Sequence, residues 1–322
     1  MAHCAGEAAR CGDLMRRMIA GKPPDRDGVG ASVIATTAGN WATFLDFLAW
    51  KFPAIAHDHW LARVNGARVV DEQGVTIQGD TPYRPNSKLF YYRSVTDEPH
   101  IPFAATVLFQ DAFIVVADKP HFLPVTPAGR YVAETLLVRL KRALDMDTLA
   151  PMHRIDRDTA GLVLFTVQPH TRDVYQKLFR ERRVEKTYEA IAPWRAGMLA
   201  PMVYRSRLVA SDAFMQMQAV DGDANAITAI EIAAVNGALA RYILRPLTGR
   251  KHQLRAHMAA LGAPIVNDRI YPVLQASDSA RPDYSQPLQL LAKSIAFVDP
   301  VTGQARAFSS QRRLAHWPAA DA

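Results

Sequence analysis

The residues best suited to chemistry lie in one short stretch, PMHRIDRDTAGLVLFTV over 151–167. It gathers His153, Arg154, Asp156, Arg157 and Asp158, turns at Gly161, and enters an apolar segment over 162–167 that reads as a buried strand. A loop of ionisable groups on the end of a core strand is a common mount for catalytic side chains. Arg154 and Arg157 flank Asp156, and nearby positive charge keeps a partly desolvated carboxyl ionised. Such a carboxylate can act as nucleophile or base. The alternative for Asp156 is an ordinary turn residue. For Asp158, followed by Thr159, Ala160 and Gly161, the turn is the preferred reading.

Three further pieces could serve the same site: Tyr188 in the strand-like run EKTYEAIA over 185–192, Arg255, and the basic loop Gly249-Arg250-Lys251-His252. A helix is predicted over 250–261, capped by Thr248 and closed by Gly262 and Pro264. Arg250 and Lys251 at its start could hold a phosphate, because backbone N–H groups point outward there; surface solvation is the equal alternative. His252 and His257 are five apart, which splits them around a helix, so no metal site is expected and both read as hydrogen-bonding or RNA-facing. Gly28-Val29-Gly30 follows no strand and carries no phosphate-loop reading.

The elements that must position these groups come from composition and pattern. A chain of 322 residues, 49% of them apolar, has room for one large and one small domain. No apolar run reaches the roughly 20 residues that span a bilayer, and the first 40 residues hold no compact signal segment, so a cytoplasmic protein is expected. The two cysteines, Cys4 and Cys11, exclude a four-thiolate metal site and argue against a disulfide framework. A net charge of +7 points to a polyanionic partner.

Residues 1–39 are expected to form a poorly ordered leader. A compact module follows over 40–82, with short helices over 41–52 and 59–64 and a hairpin pairing 68–70 with 75–78. Its Lys51, Arg63 and Arg68 are outnumbered by Asp46, Asp58, Asp71, Glu72 and Asp80. Pro85, Pro99 and Pro102 suggest an extended linker over 83–105, around a strand-like 89–93. Beyond it come a hairpin over 106–117, a helix over 134–144, and a helix over 171–183. The last buries Val174, Tyr175, Leu178 and Phe179, with a basic face of Arg172, Lys177, Arg180, Arg182 and Arg183. Strands are predicted over 185–192, 203–209, 214–219, 227–234, 238–244, 295–298 and 305–308. Consecutive strands with short turns favour an antiparallel or mixed sheet, hence an α+β class.

Taken in order, these motifs resemble those of the RluA-type pseudouridine synthases. His153-Arg154-Ile155-Asp156 with Thr159-Ala160-Gly161-Leu162 resembles the HRLD…TSGL signature, VVADKPHFLPVTP over 115–127 the "KPaGlpv" segment, and Lys186-Thr187-Tyr188 the K-x-Y strand. LTGRKHQLR over 247–255 with His257 resembles "TGRxHQIRxH", continued by Gly262-Ala263-Pro264-Ile265 and Asp268. The departures are Ile155, Ala160, His121-Phe122 for a small residue and glycine, Leu290-Leu291-Ala292 for "LHA", and Asp299-Pro300 for "HP". The resemblance implies a mixed, mostly antiparallel central sheet with flanking helices and a cleft across its middle, spanning 106–318. The module at 40–82 is similar to an αL-type RNA-binding domain.

The resemblance also implies a cofactor-free isomerisation of uridine to pseudouridine in RNA; ribosomal or transfer RNA is the expected substrate, and a monomer without metal is expected. Asp156 would be the catalytic aspartate, paired by Arg255, with Tyr188 against the target uracil. Arg154 would fill the space that the nucleotide leaves, and Leu254 would line the pocket. His153, Lys186, Arg250, Lys251 and His252 would bind the substrate. The rivals are an N-glycosidic hydrolase using the same aspartate and a catalytically silent RNA-binding protein.

Overall fold

The structure, a computed structural model, describes residues 22–93, 95, 98–198, 200–211, 215–275 and 283–317. Cys4, Cys11, the first half of the expected leader and Phe214 lie outside them. The chain divides into two compact units, Met1–Glu98 with Val138–Asp147, and Pro99–Leu137 with Thr148–Ala322.

In the first unit, strand β1 (Ser32–Ala35), helices α1 (Phe44–Lys51) and α2 (His57–Asn65), and strands β2 (Val69–Asp71) and β3 (Lys88–Tyr91) are built around one apolar cluster. Thr43 starts α1 with a capping box: its hydroxyl accepts from the Asp46 N–H at 3.1 Å, and the Asp46 carboxylate accepts from the Thr43 N–H at 3.0 Å. Phe44, Phe47 and Leu48 from α1 and Trp60 and Val64 from α2 bury against Val69, Ile77 and Leu89.

One expectation needs correction here. The leader reading fails over 32–35, which pair antiparallel with β3. The expected hairpin forms: Val70 pairs antiparallel with Thr76, the Asp71 N–H donates to the Val75 carbonyl at 2.9 Å and the Ile77 N–H to the Val69 carbonyl at 3.0 Å, while β2 also pairs with β3 in the order β1-β3-β2. Asp71 closes the turn of that hairpin, its carboxylate accepting from the N–H groups of Gln73 and Val75. The buried pair Leu89 and Phe90 then makes β3 the central strand, inside the span read as linker.

The second unit is an eleven-stranded sheet. Its strands are β4 (Thr106–Gln110), β5 (Ile114–Lys119), β6 (Ala150–Pro151), β7 (Ala160–Thr166), β8 (Glu185–Pro193), β9 (Met202–Ala210), β10 (Met217–Val220), β11 (Ala226–Asn236), β12 (Leu239–Pro246), β13 (Leu290–Val298) and β14 (Ala305–Ser309). The path runs β10-β9-β11-β12-β8-β13-β7-β5-β4, with β14 beside β13 and β6 beside β7. Every pairing is antiparallel except β13 with β7, so the sheet is mixed and mostly antiparallel, as expected. Helix α3 (Leu136–Leu144) ends among the residues of the first unit, while α4 (Arg172–Arg180) and α5 (Gln253–Ala260) accompany the sheet.

At the parallel junction Gly161 faces Ala292 with φ +110, and a Cβ there would lie 2.3 Å from the Ala292 carbonyl oxygen. Only glycine fits, and the loop before β7 is thereby seated where the parallel and antiparallel halves meet. Among the described residues no helix is long and apolar enough to cross a membrane.

Candidate active site

The loop over 152–159 is held from several sides. The Met152 N–H donates to the Leu164 carbonyl at 2.8 Å, and the Leu164 N–H donates to His153 Nε2 at 3.2 Å. The His153 ring also stacks on Phe179 of α4, centroids 4.7 Å apart. Burial, with the Lys186 charge adding to it, pulls the His153 imidazole down to about 3, as its acceptor role requires. One ring face and one nitrogen are thus engaged by the protein, so His153 latches the loop to β7.

Lys119, at the end of β5 and fully buried, donates to the carbonyls of Pro120 and Arg157, both at 2.9 Å. Burial lowers its pKa to about 7, against the opposing pull of Asp158 and Asp156. His121 Nδ1 donates to the Asp158 carbonyl at 2.7 Å, and Arg157 Nε to the Asp158 carboxylate at 2.9 Å. The turn reading of Asp158 fits this arrangement.

What the loop presents is Asp156. Its Oδ2 accepts from Arg255 Nη1 at 3.1 Å, and its Oδ1 lies 3.9 Å from His252 Nε2. The Asp156 side chain is 27% exposed, whereas that of Arg255 is 2% exposed. Arg255 is fixed from behind by Asp268, which accepts from Nε at 2.8 Å and from Nη2 at 2.7 Å. Asp268 itself accepts from the N–H groups of Ile270 and Tyr271 at 2.8 and 3.0 Å. Burial works against the Arg255 charge. The hydrogen bonds and charge of Asp268, joined by the charges of Asp156 and Asp158, outweigh it and hold the guanidinium above its ordinary pKa. The planar fork therefore keeps one edge on Asp268 and offers the other to Asp156.

Helix α5 carries Arg255 and is buried from Gln253 to Met258. It starts three residues later than predicted, with His252 at φ +52 as its N-cap. Thr248 does not cap it; its hydroxyl donates to Gln253 Oε1 at 2.7 Å and accepts from the Ile227 N–H at 2.8 Å. The same Gln253 oxygen accepts from the Arg250 N–H at 3.1 Å, so that amide does not face a phosphate. The Arg250 guanidinium bonds the Asn225 carbonyl at 3.2 Å, and both Arg250 and Lys251 lie at the surface. His252 is buried, with Nδ1 3.3 Å from the Tyr271 hydroxyl; burial lowers its pKa, with Asp156 opposing. His257 sits between Ser206 and Thr228, 3.0 Å from each hydroxyl, so its place is in the packing behind the helix, not facing RNA.

Strand β8 supplies the remaining wall. Tyr188 packs on the cluster that includes Leu254, and burial first, then the Asp156 charge, raises its phenol pKa. Lys186, two residues along the same face, has its pKa lowered by burial. Asp156, Arg255, His252, Tyr188 and Leu254 thus converge. Arg154 is exposed at the rim. The expected basic face of α4 is more balanced than its sequence. Arg180 pairs with Asp173, Lys177 and Arg183 with Glu181, and Arg172 bonds the Thr148 carbonyl. The residues that sequence spacing left without a role are Asp268, Lys119 and Tyr271, since each acts across the fold.

A buried cation clamping a single half-exposed carboxylate beside an aromatic wall can stabilise or expel a group at an anomeric carbon. A family profile described as RNA pseudouridylate synthase matches residues 113–260. An uncharacterized RNA pseudouridine synthase of Synechocystis sp. is 28% identical over 241 residues, covering 70% of this chain and 78% of that one. The dual-specificity RNA pseudouridine synthase RluA of Salmonella typhimurium is 32% identical over 211 residues, covering 63% of this chain and 90% of that one. Among solved structures, human RNA pseudouridylate synthase domain containing 4 shares the fold with a TM-score of 0.51 and 24% identity, covering 65% of this chain and 88% of that one.

Proposed function

This chain belongs to the RluA-type RNA pseudouridine synthase family, and from that premise we propose that Asp156 is the catalytic carboxylate of its uridine-to-pseudouridine isomerisation. The observation that carries the assignment is the 3.1 Å bond from Arg255 to Asp156, made by a guanidinium already fixed by Asp268.

The reaction breaks the bond between ribose C1′ and uracil N1, turns the retained base, and joins C1′ to C5. The C5 hydrogen leaves as a proton and N1 gains one, so atoms balance without an external reactant. Asp156 either attacks C1′ or removes the ribose proton beside it. A primary isotope effect with RNA deuterated at C2′ marks the second route. Arg255 orients the carboxylate and balances its charge. Tyr188 gives the uracil an aromatic face, and its raised pKa keeps the phenol protonated through the neutral range. Leu254 keeps the pocket apolar, which protects the intermediate from water.

Arg154 fills the gap left by the extruded nucleotide; extrusion costs about a few kcal/mol and least where the base is already unpaired. Lys186, Arg250, Lys251 and His252 approach the RNA around the pocket. The preferred substrate is structured ribosomal or transfer RNA, taken by a monomer in the cytoplasm. The two-helix module within 40–82 would add an RNA-docking surface, which its exposed Trp50 and Lys51 favour.

The test is to map pseudouridines in RNA from cells with the gene, without it, and complemented with Asp156→Asn. One or more sites should vanish on deletion and stay absent in the complemented strain. Release of free uracil by the purified protein would replace the isomerase with a hydrolase.

A further inference from the structure

Phe122 stands at φ +66, in the left-handed region that bulky L residues rarely adopt. A strained residue of this kind persists where its surroundings over-determine it, and such positions concentrate at functional sites. Here the surroundings are rings. Phe122 lies 5.1 Å from Tyr284 and 6.0 Å from Phe103, and Phe103 meets Tyr284 edge-on at 5.4 Å. Phe122 forms the buried floor at 7% exposure, while Phe103 reaches the surface at 36%.

The cluster is tied to the Asp156 loop through the preceding residue, since His121 Nδ1 donates to the Asp158 carbonyl. It is bordered by exposed cations. Arg130 and Arg157 approach the Tyr131 ring at 5.6 and 6.0 Å, and the charges of both reach the Tyr284 phenol. A ring surface whose cationic rim includes Arg157, the chain neighbour of Asp156, has the chemistry that single-stranded RNA needs. Bases stack on aromatic faces irrespective of sequence, and phosphates fall on the arginines.

We propose that Phe103, Phe122 and Tyr284, rimmed by Arg130 and Arg157, form a stacking surface for the unpaired base next to the target uridine. The proposal rests on the RNA isomerase reading above and adds a specificity determinant to it. Phe122 shapes the surface; Phe103 and Tyr284 present it.

Phe122→Gly is the informative variant, because glycine adopts φ +66 without strain and the fold should persist, as a melting curve checks. The exposed Phe103→Ala is the second. The probe is an RNA hairpin with a seven-nucleotide loop carrying a central uridine, next to either 2-aminopurine or an abasic site. Binding is read by anisotropy, and stacking by quenching of 2-aminopurine. For the wild type, the abasic change should weaken binding at least about 5-fold and 2-aminopurine should be quenched. Both variants should bind the intact hairpin as weakly as the wild type binds the abasic one, lose the quenching, and show no further abasic penalty.

An abasic penalty of the same size in wild type and variants, or no quenching by the wild type, overturns the proposal. The assay needs no turnover, so its outcome is separate from that of the pseudouridine map. An unchanged map with quenching intact removes the isomerase reading and leaves the stacking surface.

Discussion

Two carboxylates share the Arg255 guanidinium, and replacing each by its amide should separate chemistry from stability. The Asp268 side chain has no exposed surface, whereas Asp156 is 27% exposed. Asp268→Asn leaves a 2% exposed cation without its bidentate counter-charge and puts amide hydrogens against it. Breaking a buried pair from one side costs about 3–5 kcal/mol. At about 2–4 °C per kcal/mol for a unit of this size, the melting midpoint should fall by roughly 6–20 °C.

Asp156→Asn keeps the Asp268 pair intact and should cost no more than about 1 kcal/mol, roughly 4 °C at most. Activity should order the pair the other way. Tritium release from RNA labelled at uridine C5 should be abolished in Asp156→Asn, and reduced mainly in kcat in Asp268→Asn below its melting range. Equal destabilisation by the two substitutions, or turnover by Asp156→Asn, would refute the division of labour.

Three other expectations follow from the structure. Gly161→Ala would push a Cβ into the Ala292 backbone and should yield insoluble protein. Gly303→Ala, with φ +74 and nothing within 4 Å, should fold with a loss of about 1 kcal/mol in denaturant titration. Burial lowers the His257 pKa to about 4, so the unfolded chain binds the extra proton first. Stability should therefore fall as pH drops from about 6.5 to about 4, and His257→Gln should flatten that part of a urea-midpoint profile. If Arg182, Arg183, Arg250 and Lys251 grip phosphates, the logarithm of RNA affinity should fall against log salt with a slope near −3, and a flat response would exclude that surface.

The parts of the site that are legible in the sequence are those that lie close together along the chain. The run from His153 to Gly161 identifies the carboxylate loop, and the run from Leu247 to His257 identifies the helix that meets it, because a loop feeding a strand and a buried helix each have a local pattern. The succession of strands with short turns after 185 likewise predicts an antiparallel or mixed sheet. Strand limits moved by a few residues in most cases, since a strand ends where its partner ends.

What sequence spacing left open are the relations across long separations. Asp268 behind Arg255, Lys119 under the Arg157 carbonyl, β3 between β1 and β2, and Phe122 in a left-handed conformation all depend on which segments come to lie side by side. The same holds for charge: the basic face of α4 is partly neutralised only once its side chains find Asp173 and Glu181. Residue type and spacing therefore determined which groups could react. Tertiary structure decided which of them come to lie side by side, because desolvation and hydrogen bonding act over a few ångströms in space, whatever the distance along the chain.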